Sequence, residues 1–398
     1  MTTSLTPLVR APHGRRTGRR FLGDLDRPAD VFRNLGPNWY ASVMGTGIVA
    51  NAAAVLPLHV AGLRLFGTAV WALASTMLIV LTAAWSVHWI QHRDIARRHA
   101  RHPVMSHFWG APAMALMTVG AGTLTLGESW IGAQAAVRVD AVLWTAGTLL
   151  GLVTSVWIPY LAMTEHEVRQ DSAHGGWLMP VVPPMVSAAT GAALVPHVPV
   201  GQERLTLLLA CYAMFGISLF ASVVIITQVW SRLVHHKLGP AAMVPTLWIV
   251  LGPLGQSVTA ANALGTVAHS VLPAPYATGA AVFGFVYGLP AWGFAMMWLV
   301  LAARLTLRTA RRHMPFALTW WSFTFPVGTC VTGTCALAVR LHSGAFVVAA
   351  DALYALLLGS WVVVAVGTVR GGLRGTLFLP QAPTHAGGAA APRLTADR

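Results

Sequence analysis

Ten long apolar segments constrain this chain more than any other feature of its sequence. Their approximate bounds are 37–56, 65–90, 104–126, 139–163, 177–196, 204–231, 244–268, 277–303, 319–340 and 346–368. A helix needs about 20 predominantly apolar residues to cross a bilayer, and every segment has that length. Because 56% of the residues are hydrophobic and only 10% are charged, the chain cannot cover a soluble surface. The sequence predicts an all-α integral membrane protein with ten transmembrane helices.

The basic residues indicate how these spans are oriented. The two tails and the loops on their side of the membrane hold 22 of the 26 Lys and Arg residues, which leaves four on the other side. By the positive-inside rule, both termini are cytoplasmic. We predict a basic tail at 1–36, a transmembrane domain at 37–370 and a C-terminal tail at 371–398 that is disordered from about Pro380. The protein is expected in the cell membrane. Topology explains the net charge of +14, so no nucleic-acid partner is expected.

Helix breakers recur along the odd-numbered spans. Four prolines lie 71, 70 and 73 residues apart, and the first span has two glycines in the corresponding place: Gly45, Gly47, Pro112, Pro183, Pro253 and Pro326. Irregular backbone at membrane depth is tolerated only against protein or a water-filled cavity. The spacing therefore predicts five helical hairpins around a central pore, with the odd-numbered helices inside and kinked at these pore-lining positions. The alternative is that small residues and prolines only allow close helix packing.

Charged side chains are missing from the middle of every predicted span. Proton relays and ion-coupled carriers usually bury such groups, and cation pores usually display carboxylate rings. Their absence favours passive conduction of anions.

No enzyme or cofactor site stands out. The three cysteines, Cys211, Cys330 and Cys335, lack metal-site spacing. The histidines between His88 and His107 alternate with arginines, which would repel a metal. We expect no metal, no cofactor and no catalytic residues.

Three stretches of sequence resemble one family of transporters. PNWYASVMGTGIVA in the first span, HPV and APAM entering the third, and TWWSFTFPVG in the ninth are similar to the tellurite-resistance/dicarboxylate transporter family. That family includes fungal malate and sulfite transporters and plant slow-type anion channels. The resemblance covers about residues 35 to 370. It implies a homotrimer of ten-helix protomers, each with its own pore, which a phenylalanine of the ninth helix closes. The matching residue here is Phe325, with Phe323 and Phe316 as weaker candidates.

These observations predict a membrane channel or facilitator for small inorganic anions or C4-dicarboxylates, gated by Phe325. A proton-coupled malate-type carrier and a sulfite or tellurite exporter are the alternatives within transport. A membrane oxidoreductase is the alternative from another class.

Overall fold

The computed structural model describes residues 21–58 and 60–379, and these residues form helices and no strands. The twelve α-helices among them are α1 Tyr40–Val55, α2 Leu63–Gln91, α3 Arg93–Arg101, α4 Gly110–Gly122, α5 Glu128–Ile131, α6 Ala133–Thr164, α7 Pro183–Leu194, α8 Gln202–His236, α9 Leu251–Val267, α10 Ala274–Ala310, α11 Phe325–Leu341 and α12 Gly344–Arg374. A π-helix, Thr123–Gly127, joins α4 to α5. The prediction of an all-α protein is confirmed for the described residues.

Seven helical stretches within the described ranges are long and apolar enough to cross a membrane. They are α2, α6, α8, α10, α12 and the stretches Ala241–Ser270 and Leu318–Leu341, which contain α9 and α11. The first, third and fifth predicted spans coincide with α1, α4 and α7, whose 16, 13 and 12 residues are fewer than one continuous spanning helix requires. The arrangement of ten spans therefore stays a prediction.

Burial divides the helices into two sets. In the stretches that contain α9 and α11, 78% and 83% of the apolar window is buried, against 22% to 33% for α2, α6, α8, α10 and α12. Helices α1, α4 and α7 are also buried along most of their length. We call α1, α4, α7, α9 and α11 the inner helices and the other five the outer helices. Large apolar side chains cover the outer helices, such as Ile79 and Phe220, as is expected of a surface that faces lipid.

The inner helices form a closed ring. Helix α1 packs against α4 and α11, α4 packs against α7, α7 against α9, and α9 against α11. Each outer helix packs against the inner helix that precedes it in the chain. Small residues allow this close approach, since a Cβ on Gly255 of α9 would lie 2.5 Å from the backbone nitrogen of Cys330 in α11.

Every inner helix follows a 3-10 segment. These segments are Pro37–Trp39, Met105–Trp109, Gly175–Leu178, Ala241–Val250 and Leu318–Phe323. The repeated prolines lie in the first turn of the α-helix that follows, with Pro183 first, Pro326 second, and Pro112 and Pro253 third. The first backbone N–H groups of a helix have no intrahelical partner, so proline costs no hydrogen bond there. In place of an interior kink, each of these prolines lies in the first turn of an α-helix that a 3-10 segment precedes.

The polar segments at the two ends of the domain meet on one side of the ring. Leu22 and Asp24 donate their backbone N–H groups to the carbonyls of Leu373 and Arg374, at 2.8 and 3.1 Å. The arginine- and histidine-rich segment after α2, which we expected to be a loop, forms helix α3. The stretch from Pro380, expected to be disordered, lies outside the described residues.

Candidate functional site

Phe325 lies between two cavities inside the ring of inner helices. It is the first residue of α11 and is 3% exposed. One cavity, which we call the wide cavity, has a volume of about 730 Å³, and the other, which we call the neck, has about 20 Å³. Phe325 lines both. The aromatic ring therefore lies where the two spaces adjoin.

The wide cavity extends along α11 from Phe325 to Arg340. These residues are 15 positions apart, which is roughly 22 Å along an α-helix. All five inner helices line the cavity, and six threonines contribute hydroxyl groups: Thr118, Thr125, Thr190, Thr259, Thr266 and Thr332. Of the described residues that line it, none is acidic and Arg340 alone carries a permanent charge. The wall of the cavity thus combines apolar side chains with hydroxyl and amide groups, is uncharged along most of its length, and is positive at one end.

The neck is narrow and apolar. Its wall includes Met44, Met114 and Met179 from three successive inner segments, together with the ring of Phe325. Ser322 is the only side chain with a hydroxyl or other polar group among the described residues that line it. A space of about 20 Å³ holds roughly one water molecule. An ion with its hydration shell cannot pass through a neck of this size.

A third cavity of about 650 Å³, which we call the entrance cavity, lies on the other side of the neck. Leu318 lines both spaces. The entrance cavity is charged, with Asp24 and Asp30 as well as Arg33 and Arg98 in its wall. Wide cavity, neck and entrance cavity therefore follow one another and share one residue at each junction.

The sequence of this ring matches one known family along most of its length. Residues 34–369 match the family described as voltage-dependent anion channel, SLAC1. The chain belongs to the SLAC1 family. Its members are membrane channels and transporters for anions, which agrees with the predicted class of function.

Three relatives show the range of this family. An uncharacterized transporter of Methanocaldococcus jannaschii is 26% identical over 353 residues, which cover 88% of this chain and 96% of that protein. A sulfite efflux pump of Trichophyton rubrum is 28% identical over 342 residues, covering 84% and 90%. A protein of Schizosaccharomyces pombe, named as a candidate malic acid transporter, is 19% identical over 365 residues, covering 88% and 83%.

Of the six other predicted site residues in this SLAC1-family chain, one lines a cavity described above. Pro326 lines the neck, whereas the remaining five are not among the described residues that line the wide cavity or the neck: Gly45, Gly47, Pro112, Pro183 and Pro253. Gly45 and Gly47 lie within the uninterrupted α1, against Trp321 and Thr118 respectively. Pro183 packs against Gly151 of the outer helix α6. Whether these residues shape a pore stays a prediction.

The two weaker gate candidates occupy different surroundings. The ring of Phe323 is edge-on to Trp248, with ring centroids 5.1 Å apart, and lines neither the wide cavity nor the neck. Phe316 lines the entrance cavity and packs against Trp320. Of the three phenylalanines, Phe325 alone adjoins the wide cavity and the neck.

Three side-chain amides line the wide cavity and were not predicted from the sequence, and two of them, Gln256 and Asn51, have oxygens without partners among the described residues. Gln256 is 5% exposed, and its side-chain oxygen has no hydrogen-bond partner within the described ranges. Asn51 donates to the carbonyl of Thr118 at 3.0 Å, but its own side-chain oxygen has no partner among the described residues. Buried amides without partners are costly. The sequence signal that could have indicated them was the presence of polar side chains inside the predicted spans 37–56 and 244–268.

Histidines cluster at the side of the ring where the entrance cavity lies. His174, just before the 3-10 segment Gly175–Leu178, accepts the N–H of Gly176 at 3.0 Å. Burial, with smaller contributions from His107 and Arg232, lowers the pKa of His174 to about 3. Burial also lowers the pKa of His99 to about 4. Both rings are therefore neutral at physiological pH, and no group of three or more metal-binding side chains occurs in the described part of the chain.

Proposed function

We propose that this protein conducts small anions passively through the ring of inner helices and that Phe325 closes the path. The position of Phe325 between the wide cavity and the neck carries the proposal. A narrow apolar constriction excludes ions because it loses its water and offers nothing in place of the hydration shell. The methionines of the neck and the Phe325 ring form such a constriction.

The chemistry of the wide cavity supports anions over cations. Arg340 provides a positive charge, and no carboxylate lines this cavity among the described residues. The six threonine hydroxyls donate to carbonyls of their own helices, and their hydrogens can rotate toward a bound ion instead. The side-chain amide of Gln256 carries two further N–H donors. These groups can replace part of an anion's hydration shell without holding it tightly.

Small oxyanions such as sulfite are the substrates we propose first. The sulfite efflux pump of Trichophyton rubrum shares 28% identity over 84% of this chain. A sulfite ion is small enough for a pore that one aromatic ring can close.

The wider arrangement follows from the same proposal. The inner helices and their 3-10 segments form five broken spans, and each makes a hairpin with the outer helix that follows it, which gives ten spans. Both termini are cytoplasmic, so the entrance cavity opens to the cytoplasm in the cell membrane. The family resemblance adds a homotrimer in which each protomer has its own pore.

A proton-coupled carrier of C4-dicarboxylates is the second candidate, and Asp140 favours it. This α6 residue is fully buried, and neither carboxylate oxygen has a partner within the described residues. Its side chain lies against Gly120 of α4. A buried, unpaired carboxyl group can exchange a proton during transport, and one relative is named as a candidate malate transporter.

Flux into proteoliposomes distinguishes the two candidates. Sulfite, nitrate, chloride and malate are each supplied with and without a pH gradient, and empty liposomes are the control. Passive conduction predicts downhill flux of small anions that stops at electrochemical equilibrium. Uphill accumulation of malate driven by the pH gradient alone, abolished in Asp140→Asn, would establish the carrier instead. Absence of flux for every anion would refute both.

A further inference from the structure

Arg340 is held in place by neutral groups at the end of the wide cavity. Its Nε donates to the side-chain oxygen of Asn262 at 2.6 Å. One terminal nitrogen donates to the backbone carbonyl of Ala281 at 3.2 Å, and the other donates to the Asn262 carbonyl at 3.1 Å and the Thr266 hydroxyl at 3.2 Å. These contacts join α11 to α9 and α10. The guanidinium is therefore fixed in one orientation.

The positive charge of Arg340 has no ion-pair partner among the described residues. Within the described residues, the only ion pair joins Arg169 to Asp171, and every partner of Arg340 is neutral. Arg340 is half-buried beside the cavity, and a partly buried charge interacts more strongly with an ion than a fully solvated one does. Arg340 therefore gives this end of the wide cavity a positive charge that no ion pair neutralises.

The hydrogen bonds of Arg340 leave one donor unused. A guanidinium has five N–H groups, and the four contacts described above occupy four of them. The remaining N–H belongs to the nitrogen that donates to Ala281. Asn262 fixes this arrangement, because its amide nitrogen donates to the carbonyls of Val258 and Gly284 at 2.9 and 3.1 Å. Its oxygen must then face the arginine.

We propose that Arg340 is an anion-capture site in the wide cavity and that Asn262 is its positioning residue. The site binds a small oxyanion by charge and by one direct hydrogen bond, and it raises the occupancy of the cavity ahead of Phe325. This inference rests on the proposed function, since it assigns a binding step to the same path.

A purely structural role makes a different prediction. If Arg340 only clamps α9, α10 and α11 together, its loss lowers stability but leaves the concentration dependence of transport unchanged. A capture site instead sets that dependence. A variant that neutralises the charge of Arg340 but keeps its hydrogen bonds to α9 and α10 distinguishes the two roles.

Three variants test the site in proteoliposomes. Arg340→Gln removes the positive charge. Arg340→Lys keeps the charge but loses the planar guanidinium and most of its hydrogen bonds. Thr266→Asp places a carboxylate beside an intact Arg340. Arg204→Gln is the matched control. Arg204 is also held by neutral carbonyls, those of Val198 at 2.7 Å and Pro196 at 3.1 Å, but it does not line the wide cavity.

Initial rates of sulfite flux are measured against sulfite concentration. We expect the half-saturating concentration to rise about tenfold in Arg340→Gln and in Thr266→Asp, which corresponds to about 1.4 kcal/mol. The half-saturating concentration should rise by less in Arg340→Lys. The maximal rate should be retained in all three variants, and Arg204→Gln should have the half-saturating concentration of the wild type. Thermal melting in detergent identifies any variant that has unfolded.

Two results would overturn the site. One is a half-saturating concentration in folded Thr266→Asp equal to that of the wild type. The other is a rise in the half-saturating concentration of Arg204→Gln as large as that of Arg340→Gln. The effect would then come from surface charge in general. Failure of the proposed function is a separate outcome, because the wild type would then carry no anion flux.

Discussion

Replacing Phe325 with alanine should open the path between the wide cavity and the neck. The ring is 3% exposed and adjoins both spaces, so its removal joins a cavity of about 730 Å³ to the neck. Folding should survive, because the ring borders open space and the inner helices keep their own contacts. We therefore expect a folded protein with a large gain in basal anion current.

The size of this gain follows from the packing of the ring. Truncating a close-packed Phe to Ala costs about 3–5 kcal/mol, and the Phe325 ring, which borders two cavities, should lose less than this. If the contacts that only the closed state makes contribute about 1.5 kcal/mol, which is half of the lower value, their loss shifts the equilibrium between closed and open states toward the open state by that amount. Because 1.4 kcal/mol is a factor of ten, the basal current should rise at least about tenfold.

Planar bilayer recordings with purified protein measure this gain directly, and Phe323→Ala is the control. Phe323 is 8% exposed and packs on Trp248, so its truncation should lower the melting temperature and leave the current unchanged. The reasoning fails if Phe325→Ala is strongly destabilised and its current equals that of the wild type. The ring would then be a packing residue.

Three further predictions concern charge, packing and pH. Neutralising the four exposed arginines at the end of α10 should lower conductance mainly at low ionic strength, since exposed charges are screened beyond about 8 Å at physiological salt; an equal loss at high salt would indicate specific binding. These arginines are Arg304, Arg308, Arg311 and Arg312. Gly255→Ala should lower the free energy of unfolding by about 1–3 kcal/mol, because its Cβ would meet the α11 backbone, whereas Gly279→Ala, with no atom within 4 Å, should not. His174 has its pKa lowered to about 3 by burial, below about 6.5 in the unfolded chain, so the unfolded state binds more protons and stability should fall as the pH drops from 6.5 toward 3. His174→Asn, which keeps an acceptor for the Gly176 N–H, should flatten that melting curve, and an unchanged slope would contradict this assignment.

The sequence predicted the positions of the helices well because hydrophobic length is a strong local signal. Each of the ten predicted segments overlaps an α-helix, and the odd-numbered segments became the buried ones. The repeated prolines lie in the first turns of α-helices, after segments of irregular 3-10 backbone. They did not show that the irregularity precedes each proline, since a proline at the start of an α-helix and one inside it look alike in a single sequence.

The site was only partly predictable, because its contacts join distant parts of the chain. The hydrogen bond between Arg340 and Asn262 spans 78 positions, and no periodic pattern connects these two residues. The methionines of the neck were also missed, because a methionine in an apolar span usually packs in the core. Phe325 came from family resemblance, and its place between two cavities came only from the structure.

The reversal potential of Phe325→Ala in a planar bilayer tests the central claim most directly. A tenfold gradient of sodium chloride is imposed across the bilayer, first at equal pH and then with a pH difference of one unit. Passive anion conduction predicts a reversal potential near the equilibrium potential of chloride, unchanged by the pH difference. A reversal potential near that of sodium, or one that follows the pH gradient, would contradict the account.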